Sequence, residues 1–181
     1  MGPPGHLAIG LAAKPIAPTV PIWVFLLASW FLDVLSYGFE AFGLEKFAVS
    51  QSNMAQGVQV LVPGSVPWSH GLLMSVIWSM AFGAIAFIFF RDRRTSVILG
   101  MVVFSHWVLD FIVHPPDLPL FFEGSPNLGL GLWTSGPGLI ASSVLEFVLL
   151  AVGLTIYITW RKRKKAVMGS QSSGSKPSLV P

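Results

Sequence analysis

The sequence predicts an all-α protein: a polytopic transmembrane helical bundle of four or five crossings, with a polar site in its outer half. Three observations lead there. The chain is 53% hydrophobic and only 10% charged, with a mean hydropathy of +0.70, whereas a soluble domain carries about 25% charged residues. Four apolar runs approach the ~20 helical residues that span ~30 Å of hydrocarbon. His, Asp and Glu fall inside or beside those runs, where a central ionised carboxylate costs at least ~2.5–3.5 kcal/mol and so faces a cavity or a partner. The 7 Trp and 14 Phe suit lipid-facing sides and interfacial anchors.

Residues 5–19 read two ways. Gly5–Ala13 has helical character, and Lys14, Pro15, Pro18 and Pro21 then interrupt it. The segment either lies at the cytoplasmic surface or makes a short, broken crossing that starts outside at His6. Irregular backbone at that depth is tolerated only when packed in protein or facing a cavity. If His6 joins the polar site, the chain crosses five times with its N-terminus outside. Otherwise four crossings suffice, with the N-terminus inside.

The first long run, about 20–42, carries Asp33. The second, about 68–90, begins at Trp68 and stops at Arg91. The third, about 95–114, ends at Pro115 and Pro116, and the fourth, about 137–160, stops at a basic cluster. Residues 1–165 form one transmembrane domain. The Ser-, Gly- and Pro-containing segment 166–181 is expected to be a disordered cytoplasmic tail. No internal repeat is evident, and no cleavable signal peptide is expected.

Charge sets the orientation. Eight of the eleven basic residues lie in two clusters, Arg91/Arg93/Arg94 and Arg161–Lys165, each following an apolar run. This is cytoplasmic flanking charge, not a nucleic-acid patch. The loops at about 43–67 and 115–136 are then outside, together with Glu40, Glu45, Asp117 and Glu123. Cysteine is absent, which excludes disulfides and thiolate metal sites.

The sharpest local feature is His106-x-x-x-Asp110-x-x-x-His114. A spacing of four puts the three side chains on one helical stripe, about 6 Å of rise apart. Imidazole with carboxylate suits zinc or another first-row divalent ion. The competing reading is a chain of buried hydrogen bonds between helices. Asp33, His70 and Glu146 fall at depths that allow them to meet this stripe in the outer half of the bundle. Glu146 has its own plain reading, as a lone acid bonded to Ser142 or Ser143. Adjacent residues on a helix point about 100° apart, so neither Ser69-His70 nor Ser105-His106 is a dyad by itself. Walker A, Gly-rich dinucleotide and HExxH motifs are absent. Trp68, Trp107 and Trp133 are expected at interfaces or in packing.

The order His6 (Gly-His-Leu-Ala-Ile-Gly), Asp33 (Phe-Leu-Asp), His70 (Trp-Ser-His-Gly) and Ser105-His106-Trp-Val-Leu-Asp110 resembles a family of bacterial inner-membrane proteins described as membrane-bound metal-dependent hydrolases, one of them LexA-binding. The resemblance covers about residues 5–117. The chain departs from that family at Leu32-Asp33-Val34-Leu35, where Pro-Asp-x-Asp is common. The order of ligand types is also similar to zinc-dependent phospholipase C, which implies Asp33, His70, His106 and Asp110 as core ligands. It adds His6 beside Asp110, and His114 with Glu146 for a further ion. Ser142 stands four residues before Glu146, where that family has His, and its N-terminal Trp ligand is missing.

These resemblances imply a membrane-embedded metal-dependent hydrolase of the bacterial inner membrane. It would use one to three divalent ions, most simply zinc, held by His6, Asp33, His70, His106, Asp110 and His114. Asp33 or Glu146 would take a proton, and the substrate would be an ester or phosphoester of a lipid or amphiphile, attacked by a metal-activated water. The main alternative is an ion or proton transporter or relay using the same cluster. A bis-His haem bundle and a structural subunit with a buried polar network are further readings.

Overall fold

The computed structural model describes residues 1–49, 61–122 and 124–174. The expected outer-loop positions 50–60, Glu123 and the tail residues 175–181 lie outside the described residues. The described residues are mostly helical, with two short antiparallel strand pairs and irregular links between the helices. Its elements are α1 (Pro3–Ala13), α2 (Ile22–Ala41), β1 (Lys46–Val49), β2 (Leu61–Ser65), α3 (Leu72–Phe90), α4 (Arg93–Val113), β3 (Leu118–Pro119), β4 (Asn127–Leu128) and α5 (Gly136–Gly174). β1 pairs antiparallel with β2, and β3 with β4. Four helices, α2 to α5, are long and apolar enough to cross a membrane.

Local chemistry sets the boundaries. Pro3 and Pro4 open α1, where a missing N–H costs nothing. Pro15 then tightens the chain into a 3₁₀ turn at Lys14–Ile16. The Lys14 ammonium donates to the carbonyls of Pro18 and Val20 at 2.7 and 2.6 Å, tying down the Pro-rich link to α2. Asp92 caps α4, accepting from the N–H groups of Arg94 and Thr95. Pro115 and Pro116 follow the end of α4.

α3 starts at Leu72, later than the expected Trp68. Residues 67–70 form a turn instead, which changes where Ser69 and His70 point. α5 continues past the basic cluster to Gly174, so residues 166–174 are helical where a disordered tail was expected. Ala166, Met168 and Gln171 in that stretch are good helix formers and extend a helix already nucleated.

α4 is the most buried of the four long helices and α5 the least. α4 packs on α3 and α2, while α1 packs along α5 and α2. The main core joins Phe25, Ala28 and Leu32 of α2 to Leu99, Val102 and Val103 of α4. α3 and α4 approach closely through Ser79, Gly83, Ser96 and Gly100. A Cβ added at Gly100 would lie 2.9 Å from the Ser79 carbonyl oxygen, and one at Gly83 would lie 3.1 Å from that of Ser96. Small residues allow such backbone contact between apolar helices.

α1 runs parallel to α5. The Gly2 N–H donates to Glu146 at 2.7 Å, a Cβ on Gly153 would meet the Ala8 carbonyl, and the Lys14 ammonium lies 5.0 Å from the Trp160 ring centre. At 1.5 Å per residue α1 is about 16 Å long. It therefore covers only the part of α5 between Glu146 and Trp160. His6 does reach the polar site, on a half-length helix that gives way to the 3₁₀ turn at Lys14–Ile16, in keeping with the short, broken segment expected for that case.

Candidate metal centre

Five polar residues from four segments converge beside α4. α1 supplies His6, α2 supplies Asp33, the turn before α3 supplies His70, and α4 supplies His106 and Asp110. The three His and Asp110 are buried. Asp33 is the exception, with 24% of its side chain accessible.

Four ligand atoms face one another. The Nε2 atoms of His70 and His106 are 3.3 Å apart. Asp33 Oδ1 lies 3.4 Å from His70 Nε2 and 3.5 Å from His106 Nε2. Asp110 Oδ2 lies 3.5 Å from His70 Nε2 and 3.2 Å from His106 Nε2. These separations are longer than the usual ~2.7–3.0 Å of charge-assisted or N–H···O hydrogen bonds. They match the corner-to-corner edge of about 3.3–3.4 Å in a tetrahedron with metal–ligand bonds of about 2.0–2.1 Å. His70, His106 and Asp110 form one group whose ligand atoms lie within 4.8 Å of one another, and His6, Asp33 and His106 form a second. These buried His and Asp groups could hold a metal ion.

The surroundings orient the imidazoles. His106 Nδ1 donates to the Ser29 carbonyl at 2.9 Å, so a neutral His106 presents a bare Nε2 to the cluster, the arrangement typical of metal-ligating His. The His106 ring stacks on His6 at 3.6 Å between centroids. His6 Nε2 donates to the Met1 carbonyl at 2.9 Å. Its Nδ1 is buried and has no hydrogen-bond partner, alone in this among the side-chain atoms of the described residues. The two oxygens of Asp110 divide their work: Oδ2 faces the imidazoles of His70 and His106, while Oδ1 takes the Met1 amine and lies 3.3 Å from His6 Nε2.

Two expected members stand apart. His114 Nε2 is 3.9 Å from Asp110 Oδ1, and its Nδ1 is 3.3 Å from Asp117 Oδ1. It belongs to neither metal-competent group and extends the polar line outward. Glu146 accepts from the Gly2 N–H at the start of α1, where a carboxylate also complements the helix dipole. Ser142 and Ser143 both donate to the Leu139 carbonyl instead.

Three contributors escaped the sequence reading. Glu45, expected only as an outer acid, is buried and accepts from Ser36 Oγ, Ser69 N and Ser69 Oγ at 2.7–2.8 Å. Ser69 Oγ lies 2.7 Å from His70 Nδ1. On a helix Ser69 and His70 would point apart, but the turn at 67–70 brings their side chains together. Trp107 is more than packing, since its indole N–H donates to the His70 carbonyl at 2.9 Å. Glu45 carried no signal, because nothing local ties a loop acid to a residue 24 positions away.

What the fold and site define is a helical protein with four helices long and apolar enough to cross a membrane and a largely buried His/Asp cluster that could hold a metal ion. Compared with known proteins, the chain matches no family model, no curated protein and no solved structure.

Proposed function

We propose that this chain is a polytopic membrane protein and a metal-dependent hydrolase acting on an ester or phosphoester of an amphiphile. The observation that carries the reading is the set of five 3.2–3.5 Å separations among Asp33, His70, His106 and Asp110. Their donor set, two imidazoles and two carboxylates, suits zinc. His70, His106 and Asp110 would hold the ion from the buried side. His106 has only Nε2 to give, so the two overlapping groups describe one centre and one ion.

A divalent ion there would supply Lewis acidity, lowering the pKa of water toward ~7 and polarising an ester oxygen. Asp33 stands at the fourth, accessible corner, where it would give up its place on the ion to water. It would accept a proton from water arriving at that side. Trp30, Val34 and Tyr37, exposed around Asp33 on α2, would give an amphiphile an apolar and aromatic approach. On the helical rise, His106 lies about 20 Å along α4 from Arg93. With the basic ends cytoplasmic, that is the outer half of a bilayer. The family resemblance to bacterial inner-membrane metal-dependent hydrolases agrees with this placement.

The test is metal content by mass spectrometry on detergent-purified, monodisperse protein. Wild type should carry about one equivalent of zinc or another divalent ion. His106→Ala and Asp110→Ala should carry none. Asp33→Asn should retain metal yet lose turnover of a phosphoester or lipid-ester substrate. A wild type still empty after divalent ions are added would overturn the proposal.

One observation favours a second reading, a proton or ion relay. Asp110, His114 and Asp117 continue outward from the cluster in steps of 3.9 and 3.3 Å, ending on a carboxylate 23% accessible. Ion flux into vesicles containing the purified protein, without ester turnover, would select it.

A further inference from the structure

We infer that Glu45 is a positioning residue that dictates which nitrogen of His70 faces the cluster, acting through the hydroxyl of Ser69. The inference rests on the metal-centre reading for its consequence, but its geometry stands alone.

Ser69 Oγ has one hydrogen and two neighbours that could compete for it, Glu45 Oε2 at 2.7 Å and His70 Nδ1 at 2.7 Å. An ionised carboxylate only accepts. The hydroxyl hydrogen therefore goes to Glu45, and His70 Nδ1 must carry the proton that it donates to Ser69 Oγ. His70 Nε2 is then bare and faces Asp33, His106 and Asp110. Two bare Nε2 atoms at 3.3 Å, with two carboxylate oxygens beside them, turn four lone pairs toward one space, which suits a metal cation. Glu45 is held for this task by three donors, and it is 1% exposed.

The carboxylate and the amide should behave oppositely. In Glu45→Gln the carbonyl oxygen must stay on the Ser69 N–H that donates to Oε1 at 2.7 Å. The amide nitrogen then sits where Oε2 was and donates to Ser69 Oγ. The hydroxyl hydrogen turns to His70 Nδ1, and His70 changes tautomer, placing an N–H where a ligand lone pair was. The substitution is isosteric, yet it reverses the relay.

Two readouts on the full chain in detergent test this. Histidine-selective ¹⁵N spectra of metal-free protein resolve the tautomer, aided by the presence of only four His. Zinc affinity is measured by competition with a chromophoric chelator. Wild type should show Nδ1–H at His70. Glu45→Gln should show Nε2–H and bind zinc about 10–100-fold more weakly, the usual cost of losing a partner that orients a ligand. Glu45→Asp, still an acceptor, should recover part of the affinity. A Glu45→Gln protein with the wild-type tautomer and wild-type zinc affinity would overturn the inference. Should that variant fail to fold, Ser69→Ala replaces it. Loss of the fixed Nδ1–H tautomer and of affinity supports the relay, and retention of both overturns it. A wild type that binds no zinc, but whose tautomer switches in Glu45→Gln, would refute the metal reading and leave the relay standing.

Discussion

His106 carries more of the site than any other side chain. One nitrogen is committed to the Ser29 carbonyl, the other to the cluster, and one ring face to His6. Truncating it leaves the Ser29 carbonyl without its side-chain donor and removes one of the imidazoles facing Asp33 and Asp110. Breaking a buried charged arrangement in this way costs about 3–5 kcal/mol, so His106→Ala should unfold at a clearly lower temperature in detergent as well as lose metal. Trp107→Phe keeps the aromatic packing against Phe104 and Phe111 but deletes the hydrogen bond to the His70 carbonyl. It should cost about 1 kcal/mol and weaken zinc binding several-fold, measured by thermal unfolding and chelator competition. The His106-x-x-x-Asp110 stripe was readable because helical spacing alone puts both on one face. Glu45 and Ser69 were not, because their roles depend on a turn preceding α3 and on a loop folding back.

Two helix pairs position that chemistry. The α3–α4 hairpin is closed by glycine at the crossing. Gly100→Leu should push the helices apart and destabilise the protein by about 1–3 kcal/mol through overpacking, while Met101→Leu, on an exposed position, should change little. The α1–α5 pair depends on Gly153 in the same way. Gly153→Leu should displace α1 and with it His6, lowering metal affinity even where the long helices stay assembled. At the hairpin's basic turn, hydrogen bonds from Thr95, its side chain and its backbone N–H, hold the Asp92 carboxyl below its usual range. A lowered carboxyl contributes stability that is present above the ordinary value of 3.8 and lost as pH falls through its depressed one. Asp92→Ala should therefore lower thermal stability at neutral pH and make little difference in strong acid, which unfolding at two pH values would show. The basic turn was legible in the sequence, but Asp92 as the cap of α4 came from the structure. The glycine contacts were not, since a glycine in an apolar run does not say which backbone it meets.

As a whole the molecule brackets its polar centre between four long apolar helices and one short one. The absence of cysteine makes the topology directly testable, because single-cysteine variants report without background. Cysteines replacing Asp92 and Lys165 should react with an impermeant thiol reagent from one side of a sealed vesicle, and one replacing Ser125 from the other. Labelling of all three from one side would refute the four-crossing arrangement.

Composition and apolar run length settled the helical class and the four long segments by themselves, because transfer of backbone and side chains into hydrocarbon leaves few other solutions. The presence of Asp33, His70, His106 and Asp110 in or beside those runs marked a shared polar site for the same reason. The seating of α1 along α5, the turn that joins Ser69 to His70, the recruitment of Glu45 and the standing-off of Glu146 came only from packing. Each depends on where one backbone stops against another, a distance that no local pattern of residue types encodes.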